Sequence, residues 1–307
     1  MKVINIIPIT QTSPSDNGLY FDGRPCFNPE GNTVLFERNG NGISRNQLWT
    51  VDINTNSENL YYKSDTYGCL RASWSWNPKQ KSNQIAFTGI FPKGHLPTSR
   101  IMLLDENGMN NSATHLIVPG YEKAQLSYPA WYANEMTLLI TDYSNNDPKL
   151  LKFDINSAQS EKLTYPDFWS GMGTVNPVVS TLIAYAGQRV KSKGYYQKKN
   201  KVYIQNGYSE PIVFSNPADD VDGRTPWFSN DGRILAFESK TEQTNLQIFL
   251  KKVDLTNPNT PIIHVDGPSL AAAHPKFSRD GSLIVWAQNN EQGGSQIYMG
   301  TIIDNDD

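Results

Sequence analysis

The stretch Arg224-Thr225-Pro226-Trp227-Phe228-Ser229-Asn230-Asp231-Gly232-Arg233-Ile234-Leu235-Ala236-Phe237-Glu238 occurs in closely similar form at 273–287 and again at 23–37. Three weaker copies lie between these. They are Trp74-Ser75-Trp76-Asn77-Pro78 with Ile85-Ala86-Phe87, Pro129-Ala130-Trp131 with Leu138-Leu139-Ile140, and Pro177-Val178-Val179-Ser180 with Ile183-Ala184-Tyr185. Anchored on Pro25, Trp74, Pro129, Pro177, Pro226 and Pro275, the copies follow at intervals of 49, 55, 48, 49 and 49 residues. An insertion-like segment at 89–99 accounts for the long interval. A period of this length is the mark of a stacked or radial repeat architecture, and it constrains the fold more than any composition does.

Each copy reads as the same four strands. A short strand ends in an aromatic residue with Ser or Asn. A tight turn follows, in which Asp231-Gly232, Asp280-Gly281 or Glu30-Gly31 supplies residues that tolerate positive φ. An apolar strand and a variable loop lead to a third strand such as 47–52, and a short fourth strand such as 160–164 or 210–214 completes the unit. A sandwich or barrel does not require an equal repeat, whereas a propeller does. The pattern predicts an all-β fold: a six-bladed β-propeller of four-stranded antiparallel blades, with 1–307 as one domain. The last copy ends after its third strand, and the strand-like segment 3–9 belongs to no other copy. It is expected to close the ring as the outer strand of the sixth blade, where Pro8 is tolerated because an edge residue need not donate its N–H.

The chain is long enough to bury a large core. Its net charge of -3 lacks the basic excess of a dedicated nucleic-acid binder. No apolar run reaches the roughly 18–20 residues of a membrane helix, so no transmembrane segment is expected. The apolar start at 1–9 is too short for a signal h-region with its cleavage site; as it stands the sequence reads as cytoplasmic, and a removed leader would place it in the periplasm. Cys26 and Cys69 do not make a disulfide framework.

The pattern Pro-x-aromatic-Ser-x-Asp-Gly-x-x-Ile/Leu-Ala-Phe, followed by Gln-Ile-Tyr/Phe and Asp, resembles the repeats of the TolB-type WD-like propellers. The match is sharp in copies five and six, good in copy one and degraded in copies two to four, and it covers nearly the whole chain. The resemblance implies a propeller used as a protein-binding platform. TolB proteins carry a further N-terminal α/β domain, whereas here the first repeat starts after about twenty residues, so contacts made by that domain do not carry over. Related propellers also occur in peptidases and in oligogalacturonate lyases, and the fold alone does not settle a function.

The residues offer little catalytic chemistry. No Gly-x-Ser-x-Gly elbow is present; Trp169-Ser170-Gly171-Met172-Gly173 is the nearest glycine cluster. His95, His115, His264 and His274 fall at different places along their copies, without metal-ligand spacing. No phosphate loop occurs, and the Asp-Gly turns lack the calcium-loop ligand series. No catalytic residue, metal or cofactor is assigned. What remains is the loop face. Residues just ahead of each innermost strand should converge on the channel mouth: Arg24, Arg71, Tyr128, Asn176, Arg224 and His274. Three arginines in one ring repel unless paired or presented to an anion, and Asp22 and Asp222 are the nearest candidates for local pairing. Aromatics gather in the same loops, Trp169 among them, where rings beside arginine suit a protein interface or a sugar platform and equally suit plugging between blades. The segment 189–201 holds six cations and two tyrosines without an acid, either as a solvated loop or as a flap beside the arginines.

The expected function is a non-enzymatic binding propeller that recognises a protein or peptide partner on its loop face and channel mouth. Arg24, Arg71, Tyr128, Trp169, Arg224 and His274 are the candidate ligand-binding residues. The alternative is a propeller that binds or acts on an acidic carbohydrate, in the manner of the oligogalacturonate lyases.

Overall fold

The structure is a computed structural model, which describes residues 1–11, 19–40, 42–75, 84–95, 97–105, 112–133, 136–144, 147–191, 195–196, 199–217, 221–241, 243–257, 259–265 and 270–303. The regular elements among the described residues are β-strands, paired antiparallel except at one join. Strand β1 (Lys2–Pro8) comes first and is followed by β2 (Tyr20–Phe27), β3 (Thr33–Gly40), β4 (Ile43–Asp52) and β5 (Glu58–Tyr62). A sheet of β6 (Gly68–Trp74), β7 (Gln84–Ile90), β8 (Ser99–Asp105) and β9 (Thr114–His115) comes next, then one of β10 (Leu126–Trp131), β11 (Thr137–Asp142), β12 (Lys149–Asp154) and β13 (Gln159–Lys162). The following sheet holds β14 (Phe168–Val175), β15 (Leu182–Lys191), β16 (Tyr195–Tyr196), β17 (Lys201–Asn206) and β18 (Ile212–Val213). After it come β19 (Asp222–Phe228), β20 (Ile234–Lys240), β21 (Gln247–Lys252) and β22 (Ile262–His264), and lastly β23 (Ala272–Phe277), β24 (Leu283–Asn289) and β25 (Ser295–Ile303).

The sheet count corrects the expectation of six four-stranded blades. Four sheets stand alone as propeller blades: β6–β9, β10–β13, β14–β18 and β19–β22. The strands expected to form separate first and last blades are one continuous eight-stranded sheet, in the order β23-β24-β25-β2-β3-β4-β5 with β1 added on β25. The join is a parallel pairing of Phe21 with Ser295, reinforced by the Ser295 hydroxyl, which donates to the Asp22 carbonyl at 2.8 Å. The fourth copy also departs from four strands, because its long second strand folds back to pair with β16. A repeat period counts units and carries no information about a hydrogen bond between residues 274 positions apart in the chain.

At the chain's start, β1 runs antiparallel to β25, pairing Lys2 with Ile303 and Pro8 with Tyr298. Beyond it the Ile9 N–H reaches the Ile297 carbonyl and the Thr10 hydroxyl accepts the Ile297 N–H. The repeat turns are built as their residues suggest. Gly232 and Gly281 sit at φ 72° and 75°, the left-handed region that Gly enters without a Cβ penalty. Ser229 and Ser278 donate to Asp231 and Asp280 at 2.6 Å and accept the N–H of Ile234 and Leu283 at 2.9 Å. The Asp-Gly carboxylates are therefore spent on the turns.

The cores lie between neighbouring sheets. Phe228, 1% exposed, packs with Leu182, Ala184, Val202 and Ile204 of the blade before it, and Phe277 packs with Ala236, Ile248 and Leu250. Trp131 is half-buried and its indole N–H donates to the Ser73 carbonyl at 3.0 Å; Trp76 lies outside the described residues. Cys26 and Cys69 are both buried, free, and members of one apolar cluster. No helix among the described residues is long and apolar enough to cross a membrane.

Candidate functional site

Every innermost strand is interrupted by a β-bulge. The register shifts fall at 23–26 in β2, 70–73 in β6, 127–130 in β10, 171–174 in β14, 224–227 in β19 and 273–276 in β23. Each bulge carries one non-glycine residue at positive φ: Arg24 (45°), Arg71 (57°), Tyr128 (52°), Met172 (55°), Thr225 (42°) and His274 (61°). Left-handed backbone costs a side-chain-bearing residue roughly 1–2 kcal/mol, so the arrangement is held by its surroundings. The holding groups come from the second strand of the preceding unit. The Arg71 N–H donates to the Glu37 carboxylate, Tyr128 N–H to Thr88 Oγ1 at 3.3 Å, Met172 N–H to Thr141 Oγ1 at 3.2 Å and His274 N–H to Glu238 Oε2 at 2.9 Å. A bulge re-aims the side chain it carries, and here all six positive-φ residues line one small cavity of about 50 Å³. Pro129, Pro226, Pro275, Trp227 and Lys276, one or two residues farther along the strands, line the same cavity.

Of the six residues expected at the mouth, the structure brings Arg24, Arg71, Tyr128 and His274 together. Copy four contributes Met172, because Asn176 is buried in the turn at the other end of the strand, where its Oδ1 accepts the N–H of Val178 and Val179. Copy five contributes Thr225, while Arg224 turns away onto Asp222 with contacts of 3.0 and 2.6 Å. Trp169 lies outside the mouth, in a groove of about 550 Å³ that also contains Ile90, Thr98, Gln125, Tyr143 and Pro148 and shares Arg71, Tyr128 and Met172 with the mouth. Of the basic segment, Arg189 pairs with Glu210 and the Lys201 amine donates to the Val221 carbonyl at 2.7 Å; residues 192–194 and 197–198 lie outside the described ones.

The three arginines differ in how well they are satisfied. Arg24 donates from Nη1 to Glu37 at 2.9 Å; burial opposes its charge, but Glu37, Tyr128 and Glu238 together outweigh that and raise its pKa. Arg224 is paired locally with Asp222. Arg71 donates from Nη1 to Ser127 Oγ at 2.6 Å and lies 4.2 Å from the Tyr128 ring centroid, with no carboxylate on its guanidinium among the described residues. Arg24 Nε, Arg71 Nε, His274 Nδ1 and Tyr143 Oη are buried and have no hydrogen-bond partner among the described residues. Burial, and then the charges of Arg24, Lys276 and Arg71, hold His274 well below its ordinary pKa. Burial raises the pKa of Glu238, against the pull of the His274 N–H. Lys276, with its amine 2.8 Å from the Trp227 ring centroid, is pushed down to about 7 by burial.

Glu37, Glu238, Met172, Tyr143 and Lys276 were not singled out in the sequence. The signal for two of them was present: the residue after the central apolar pair of the second strand is Glu37, Thr88, Thr141 and Glu238 in four copies, each with an acceptor atom. Among the described residues no group of three or more His, Cys, Asp or Glu side chains is placed to hold a metal ion.

No protein-family model matches the chain, and no characterised protein matches it by sequence. Solved structures match it by fold. A putative TolB from Agrobacterium tumefaciens superposes with a TM-score of 0.64 at 13% identity, covering 94% of this chain and 91% of that one. An oligogalacturonate lyase in complex with manganese gives 0.59 at 12% identity, covering 99% and 96%. TolB from Acinetobacter baumannii gives 0.55 at 15% identity, covering 94% of this chain and 65% of that longer protein. The chain is a β-propeller with TolB-type and oligogalacturonate-lyase-like fold neighbours, and identities this low carry the fold alone.

Proposed function

We propose that this chain, as a single propeller domain, is a binding protein that receives an anionic group of a protein or peptide partner at its channel mouth. The observation that carries the reading is Arg71: a half-buried guanidinium, stacked on Tyr128, with an unpartnered Nε and no carboxylate on it among the described residues. A buried donor without an acceptor is costly, and Arg24 Nε repeats the deficit in the same cavity. A carboxylate entering the mouth would supply acceptors to both at once. The contacts would be charge-assisted and partly dehydrated, and so stronger than a surface ion pair. An acidic carbohydrate is the second reading, favoured by Trp169 standing beside Thr98, Gln125 and Tyr143 in the groove.

The test is a calorimetric titration of an acidic peptide, its neutral counterpart and oligogalacturonate against the wild type and Arg71→Ala. The reading requires salt-sensitive binding of an acidic ligand that weakens by about 1.5–3 kcal/mol in the variant. Equal affinity for acidic and neutral ligands, unchanged in Arg71→Ala, would overturn it. Preference for oligogalacturonate over every peptide would select the carbohydrate reading.

A further inference from the structure

The mouth and the groove beside it differ in size and chemistry yet share Arg71, Tyr128 and Met172. At the roughly 10–15 Å³ that each water-sized group needs, the mouth cavity of about 50 Å³ takes a carboxylate and little else. Three prolines, Trp227 and Lys276 make up the rest of its lining. The groove is about ten times larger and offers two kinds of wall. Trp169, Met172, Ile90 and Pro148 are apolar, while Thr98, Ser99, Gln125 and the buried, unpartnered Tyr143 hydroxyl are polar.

We infer that the mouth and groove together form a receptor for the C-terminus of a polypeptide ending in a large apolar residue. The inference rests on the reading of the mouth as an anion site. The terminal carboxylate sits in the mouth against Arg71 Nε and Arg24 Nε, the last side chain lies on Trp169 and Met172, and the main chain leaves along the polar wall. Adjacency is the argument for a terminus over an acidic side chain. Because the same three residues belong to both cavities, the anion and the apolar group must be close neighbours. A C-terminal residue carries both on one Cα, whereas Asp or Glu holds its anion on a stem and must borrow the apolar group from another residue. Charge complementarity is the argument for an anion at all: Arg71 faces Ser127 and Tyr128, and the carboxylates nearby are engaged by Arg24, Arg224 and the N–H groups of Arg71 and His274.

The experiment uses the full chain and four probes, with affinities read by calorimetry. The probes are an N-acetylated hexapeptide ending in phenylalanine as the free acid, the same peptide as the C-terminal amide, an amidated peptide with an internal aspartate, and trigalacturonate. The free acid should bind at least about tenfold more tightly than either amide. Trp169→Ala and a glycine in place of the terminal phenylalanine should each cost the free acid about tenfold as well. Thermal melts of each variant establish that it is folded. If the amide carrying internal aspartate binds as well as the free acid, the terminus is wrong while the anion mouth stands. If trigalacturonate binds in an Arg71-dependent way and no peptide does, the inference is overturned and the mouth again stands. Binding of all four that ignores Arg71→Ala overturns both.

Discussion

Two arginine sites in this protein look alike in the sequence and do opposite things. Arg38, in the eight-stranded sheet, is 1% exposed and fully engaged. Its Nε and Nη2 donate to Asp22 at 2.7 and 2.8 Å, its Nη1 to Glu58 at 2.5 Å, and its guanidinium lies 4.2 Å from the Tyr20 ring centroid. The same carboxylates tie in the chain's start, since Glu58 accepts the Gln11 N–H at 2.7 Å. Arg71, at the mouth, has one hydroxyl, one ring and an unpartnered Nε. A saturated buried arginine orders the joint of the ring; an unsaturated one beside a cavity is left for something else. Charge does not separate the two cases; burial and the count of satisfied donors do.

The comparison can be broken most forcefully at the joint. Arg38→Ala strands Asp22 and Glu58, and removing one partner of a buried pair typically costs about 3–5 kcal/mol. The loss should appear in chemical denaturation with ligand affinity unchanged in whatever fraction stays folded. A melt like that of the wild type would mean that the network is ornamental. Deleting residues 1–9 attacks the same region from its other edge. It removes the pairing of β1 with β25 and the buried Ile9, and a loss of about 2–4 kcal/mol is expected from the apolar area re-exposed. Unchanged stability would show that the strand is dispensable for closure.

Lys276, in the lining of the mouth, sharpens the comparison. Its amine is held near 7, against the ordinary lysine value of 10.5. Between these values the unfolded chain keeps a proton that the folded chain has shed, so stability rises with pH across that window and falls toward pH 7. The slope is at most about 1.4 kcal/mol per pH unit, and Lys276→Met should flatten it between pH 7 and 9 in a series of urea titrations. Parallel curves for the two proteins would place the amine in water.

How much of this could be read beforehand follows from what is local. The turns were legible because Asp231-Gly232 and Asp280-Gly281 act within a few residues. The convergence of Arg24, Tyr128 and His274 was legible because each precedes a proline of the repeat. Copies two and four have Ala72 and Gly173 where the others have proline, so proline spacing marks neither bulge, and Arg71 of copy two stands out only by its charge. In copy four the residue before the repeat proline is Asn176, whereas the bulge holds Met172; in copy five Thr225 precedes the proline, and the charge of Arg224 beside it points to the wrong neighbour. The union of the terminal strands into one sheet depends on Phe21 meeting Ser295, which no periodicity records. Trp169 was legible as a loop-face aromatic but not as part of a separate groove.

The account stands or falls on whether Arg71 binds or merely braces. The direct measurement is one variant with two readouts: Arg71→Ala in thermal denaturation and in calorimetric titration with the free-acid peptide, at low and at moderate salt. The account predicts a smaller fall in melting temperature than Arg38→Ala causes, since Arg71 holds one hydroxyl and one ring where Arg38 holds two carboxylates. It also predicts a loss of at least about tenfold in affinity and a flatter salt dependence. A large fall in melting temperature with affinity and salt dependence intact would make Arg71 a second Arg38 and contradict the binding mouth.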